Sequence, residues 1–234
     1  MSLKQNASPI CSMPVRWTGG GVTVGLALLS IMGCTTTPIA VSVQPHEAES
    51  CCALRPTGTA IAQTAGSLVG ASVIELNGQR IAYDCAGVAR AIYLAHGIDL
   101  YEGRRADSEA SGVRTIYAHL SANGLIHRGP RASPGDLVFF DNTWDANSDG
   151  LINDALTHVG VVERIEPDGT VVFISRVARS IERHRMNLTE PGVHRTVGGR
   201  ILNDYLRRKH PLDGRDPGRL TSDLFAAFGT RLAE

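Results

Sequence analysis

The spacing of apolar positions changes period along this chain. From Thr57 to Ala71, TGTAIAQTAGSLVGA, an Ala-rich run predicts a helix that Gly66 and Gly70 weaken. Asn77-Gly78 marks a turn inside the short Ser72–Ile81 stretch. In Cys85–His96, CAGVARAIYLAH, residues Val88, Ile92 and Ala95 recur at helical spacing. Asp84 is a good N-cap for that helix and Gly97 a good residue just past its end. Ser108 to Ala122 predicts another helix, closed by Asn123-Gly124. Beyond the Pro134-Gly135 turn the period becomes that of strands: Asp136–Asp141, His158–Ile165, Thr170–Arg176 and Ser180–Leu188. The second and third form a hairpin across Pro167-Asp168-Gly169. Ile201–Arg208 fits strand or helix, and Leu220–Leu232 predicts a short amphipathic helix with Leu224, Phe225 and Phe228 on one face. Helices first and an antiparallel run of strands afterwards give the class α+β.

Charge is balanced, 23 basic residues against 23 acidic. That argues against a nucleic-acid binder and against an acidic tail protein. The 234 residues, 43% hydrophobic, suffice for one good core with a small appendage. No apolar run reaches the roughly 20 residues of a membrane-spanning helix.

The first 33 residues read as an address. Val22–Gly33, VTVGLALLSIMG, is an apolar core of signal-peptide length, and Met13 makes a compact alternative start. Ile31-Met32-Gly33-Cys34 resembles a bacterial lipobox, which implies cleavage before Cys34 and lipidation of its thiol. An ordinary secretory signal cut nearby is the other reading. Acyl chains would tether the protein to a membrane leaflet. Thr35 is not an acidic retention residue, so resemblance to bacterial lipoproteins implies the outer membrane, periplasmic face. Residues 34–56, rich in Thr, Ser and Pro, read as a tether. Of the five cysteines, Cys11 leaves with the signal, Cys51 and Cys52 lie in the tether, and Cys85 alone sits in a patterned segment. That is neither a disulfide framework nor a metal-ligand spacing.

Cys85 opens a helix. Free backbone N–H groups and the positive end of the helix dipole favour a thiolate there, and the same groups can hold an oxyanion. Ala86 and Gly87 are small enough to let a substrate approach. His158 begins a strand and can serve as the base that takes the thiol proton. Taken singly, each residue has a simpler reading: a cysteine packed as a small hydrophobe, and a structural histidine.

Taken together they resemble a family. Asp84-Cys85-Ala86-Gly87 is similar to the D-C-[SA]-G nucleophile motif of NlpC/P60 cell-wall peptidases. Pro134-Gly135-Asp136-Leu137-Val138-Phe139-Phe140 and His158-Val159-Gly160-Val161-Val162 are similar to two of their strands, in the same order. The resemblance covers about Thr57 to Leu188; the CHAP family is a relative with a similar core. It implies a papain-like domain with N-terminal helices packed on an antiparallel sheet. It implies that Cys85 attacks a peptide carbonyl in peptidoglycan stem peptides, with His158 as base and then acid and no cofactor required. The alternative on the same fold is a non-catalytic peptidoglycan-binding lipoprotein.

Two features depart from the family or lie outside it. The third polar residue, often His, falls here on Ser175, 17 positions after His158. Serine is short and neutral and orients an imidazole less firmly than a carboxylate. The upstream tyrosine of the family has no counterpart beyond Tyr83, so that role is unassigned. Separately, Asp145, Asn147, Asp149, Gly150 and Leu151 match the first half of a calcium loop, with position 12 occupied by Leu156 instead of Glu. Asp154 or Asp141 is the candidate to complete that shell; a plain polar turn is the other reading. Arg179, Arg183, His184 and Arg185 read as a solvated strand face, and Arg207-Arg208-Lys209-His210 as surface. The expected division is a signal at 1–33, a lipidated tether at 34–56, a catalytic domain at 57–210, and a tail with a short helix at 211–234.

Overall fold

The computed structural model describes residues 40–43, 56–104, 110–129, 131–207 and 218–231. The signal segment, Cys34, Cys51 and Cys52 lie outside the described residues. The elements run β1 (Ala40–Val43), α1 (Gly58–Ser67), β2 (Val73–Leu76), β3 (Gln79–Arg80), α2 (Cys85–Leu94) and α3 (Gly112–Asn123). There follow β4 (Leu125–His127), β5 (Leu137–Phe140), β6 (His158–Ile165), β7 (Val171–Val177), β8 (Ser180–Met186) and β9 (Phe225–Thr230). The class is α+β, with three helices on a six-stranded antiparallel sheet of order β4-β9-β5-β6-β7-β8. A small second sheet, β1-β2-β3, pairs the strand at Ala40–Val43 in parallel with β2, inside the segment expected to be a plain tether.

Each helix starts where its side-chain cap says it should. Thr57, Asp84 and Ser111 accept from the backbone N–H of Ala60, Gly87 and Arg114, satisfying one orphan donor each. The Asn77-Gly78 turn, both residues at positive φ, joins β2 to β3.

The sheet is covered on both faces. On one side α1, α2 and α3 pack onto Leu137, Phe139, Val159, Val161, Ile174 and Ile181. On the other, Val138, Phe140, Val162 and Phe173 meet Leu206 and Leu224, contributed by the chain after β8. This is why β5 is apolar at every position instead of alternating.

The same double burial explains a correction. Leu220–Leu232 does not form the expected amphipathic helix. Phe225–Thr230 is β9, hydrogen-bonded to β4 on one side and β5 on the other. A strand buried on both faces carries no period of two, and its alanines favour helix locally; pairing across the sheet overrides that preference. The strand lies within the sheet of the expected 57–210 domain, so Phe225–Thr230 is part of that domain's sheet.

Candidate active site

Asp84 sets the position of Cys85. Its Oδ1 accepts from the Gly87 N–H at 2.7 Å, which stops the chain in extended conformation and starts α2 at the cysteine. Gly87 is buried, and a Cβ there would lie 1.9 Å from the Ala82 carbonyl oxygen. Its smallness therefore serves the close passage of residues 81–82 beneath the helix, and not substrate approach as the sequence suggested. Cys85 is half-buried. It packs against the core cluster to which Val159, the residue after His158, belongs.

His158 opens β6 and is buried beside Phe140, with ring centroids 6.2 Å apart. Ser175, wholly buried on the neighbouring β7, has its Oγ 2.7 Å from His158 Nε2 and 2.7 Å from the Val159 carbonyl oxygen. A hydroxyl has one proton, and a carbonyl can only accept. Ser175 therefore donates to Val159 and accepts from Nε2–H. That selects one tautomer and leaves Nδ1 with the free lone pair.

Cys85 and His158 line one cavity of about 1150 Å³. Its walls are the starts of α2 and α3, the loop between β5 and β6, the end of β7, and Leu206 with Arg207. The β5–β6 loop is pinned at its neck. Leu156 N–H donates to Asp141 Oδ1 at 2.7 Å, and Asp154 N–H to Asn142 Oδ1 at 2.7 Å. Leu156 is held at φ 53°, a left-handed conformation that costs a leucine energy, two residues before His158.

The electrostatics correct one expectation. Burial pushes the Cys85 thiol up to about 11, with the Asp84 carboxylate adding to it, and the backbone hydrogen bonds only partly offset this. Burial likewise pulls His158 down to about 3, with His184 and Arg176 opposing a further positive charge. Burial, and not the helix N-terminus, sets the direction of the Cys85 shift. At neutral pH the free protein holds a thiol and a neutral imidazole.

Other expected features fall elsewhere. In the Asp145–Leu151 loop the oxygens are engaged internally. Asp145 accepts from the N–H groups of Asp149 and Gly150, Asn147 Oδ1 from that of Asp149, and Asp149 from that of Leu151 and the Asn153 amide. Among the described residues no three His, Cys, Asp or Glu side chains are grouped to hold a metal ion. Tyr83 directs its hydroxyl to the Ala71 carbonyl at 2.5 Å, a structural use. His184 is buried against Phe173 and not on a solvated face. Arg207 is buried too, donating to the Asn142 carbonyl. Sequence reasoning missed Arg114, Trp144, Asp154, Arg176 and Arg207 as cavity walls. Asp154 drew notice only through the calcium-loop match, and of the others only the position of Arg176, directly after Ser175, hints at its place.

No protein-family model and no curated protein matches the chain. Among solved structures, the chain is similar to an NlpC/P60 family protein from Bacillus cereus ATCC 10987, with TM-score 0.40 and 17% identity. That similarity covers 77% of this chain and 42% of the other, so the chain spans less than half the length of that structure.

Proposed function

We propose that this protein is a cysteine peptidase or amidase that hydrolyses peptide bonds in peptidoglycan stem peptides. The reading is supported by one observation above all: Ser175 fixes His158 as the Nε2–H tautomer, leaving Nδ1 as a base, on the wall of the cavity that Cys85 also lines. The resemblance of the Asp84–Gly87, Pro134–Phe140 and His158–Val162 segments to NlpC/P60 motifs supplies the substrate class. The lipobox-like Ile31–Cys34 supplies the location, a lipid-anchored protein of the bacterial envelope.

The chemistry starts from neutral partners. His158 Nδ1 takes the Cys85 proton as sulfur attacks the carbonyl carbon, and the carbonyl oxygen becomes an oxyanion near the α2 amides. Collapse breaks the C–N bond, and the amine leaves with the proton from Nδ1. Water then attacks the thioester with Nδ1 as base, releasing the acid and regenerating the thiol. No cofactor enters these steps.

The raised thiol and depressed imidazole favour the second reading, a peptidoglycan-binding protein without turnover. Incubation with purified muropeptides separates the two. Product formation that Cys85→Ala abolishes supports the peptidase. Wall binding by both proteins with no product supports the binding protein.

A further inference from the structure

We propose that Arg176 is an anion-binding residue of this cavity, and that the substrate carries a carboxylate close to the carbonyl that Cys85 attacks. The identity of the reacting bond rests on the peptidase reading above; the anion site itself does not.

The strand places the guanidinium. Arg176 pairs with Ile181 near the end of β7, two residues after Ile174, and both isoleucines belong to the core beneath the helices. Alternation along a strand puts Arg176 on that same face, the face carrying α2. Its Cζ lies 5.3 Å from the centroid of the Tyr83 ring, two residues before Cys85. It also lines the cavity shared by Cys85 and His158. Ser175 and Arg176, adjacent in sequence, thus serve two sides of one site.

The arginine lacks what its counterparts have. Arg90 is paired with Asp99, Arg183 with Glu163, and Arg200 with Glu166 and Asp168, at 2.7 Å each. Arg176 is half-buried, yet none of the ion pairs among the described residues includes it. Its Nε is buried without a hydrogen-bond partner. Withdrawing a guanidinium from water without an anion is costly, and arginine suits planar, two-pronged recognition of a carboxylate. A ligand carboxylate would restore the missing partner. It would also offset the positive field that Arg176 places on His158, making the imidazole a better proton acceptor once substrate is bound.

The probes are a synthetic stem peptide with all its carboxylates free and a set of twins, each with one carboxylate converted to a carboxamide. They are titrated calorimetrically into full-length protein carrying Cys85→Ala, so that binding is read without turnover. Amidation of one particular carboxylate is expected to weaken binding at least tenfold. In Cys85→Ala/Arg176→Met that penalty is expected to fall below twofold, and Arg176→Lys to retain part of it. If Arg176→Met does not fold, Arg176→Gln provides the neutral comparison. The proposal is overturned if the free peptide does not bind, if no amidation changes affinity more than twofold, or if the penalty persists in the neutral variant. Turnover by the wild-type protein is read separately. Carboxylate discrimination without any cleavage leaves the anion site standing and overturns the peptidase reading alone.

Discussion

Ser175 accepts the Nε2–H of His158 and hands its own proton to the backbone carbonyl of Val159, the residue next to that histidine. One hydroxyl thereby holds the ring and specifies which nitrogen is basic. The arrangement is neutral throughout, which suits a buried imidazole better than a carboxylate partner that would favour its charged form.

Ser175→Ala removes the acceptor while Nε2–H and the Val159 carbonyl stay buried. We expect turnover to fall about tenfold, about 1.4 kcal/mol of barrier, with KM changing less than kcat. Stability should fall by about 1–3 kcal/mol, read by denaturant unfolding. Cys85→Ala and His158→Ala should each abolish turnover while leaving a cooperative thermal transition.

A thiol raised to about 11 reacts slowly with alkylating agents at neutral pH. Iodoacetamide labelling of the Cys85 peptide, followed by mass spectrometry, should run well below the rate of free cysteine at pH 7.5. It should climb steadily through pH 10. A labelling plateau reached by pH 6 would indicate a resting thiolate–imidazolium pair and contradict this account.

The depressed His158 sets a pH dependence of stability. Between its unfolded value near 6.5 and its folded value of about 3, the unfolded chain binds a proton that the native protein does not. Stability from this group is therefore complete above pH 6.5 and declines as pH falls towards 3, by at most about 1.4 kcal/mol per pH unit. His184, also depressed by burial, adds in the same direction. His158→Gln should flatten the melting-temperature profile between pH 7 and 4; an unchanged slope would assign the acid sensitivity elsewhere.

Gly87→Ala tests the packing beneath α2. A Cβ 1.9 Å from the Ala82 carbonyl oxygen must displace backbone. The expected loss is about 3 kcal/mol, or roughly 6–12 °C in melting temperature for a domain of this size. Ala82→Gly would not relieve it, because the obstacle is main chain.

Much of this protein was legible in its sequence. Asp84 and Gly97 bracket α2, and the β6–β7–β8 meander follows from its turns and strand-forming runs, because caps and turns are decided by residues a few positions apart. The place of Cys85 at a helix start and of His158 at a strand start came from the same local rules. Only the tertiary structure decided that Phe225–Thr230 is a strand within the main sheet, that Gly87 is small for the sake of Ala82, and that Arg176 joins the cavity. It also reversed the expected acidity of the thiol. Helix termini act over one turn and can be read from sequence, but desolvation depends on everything that closes over a group, and at Cys85 burial raises the thiol more than its backbone hydrogen bonding lowers it.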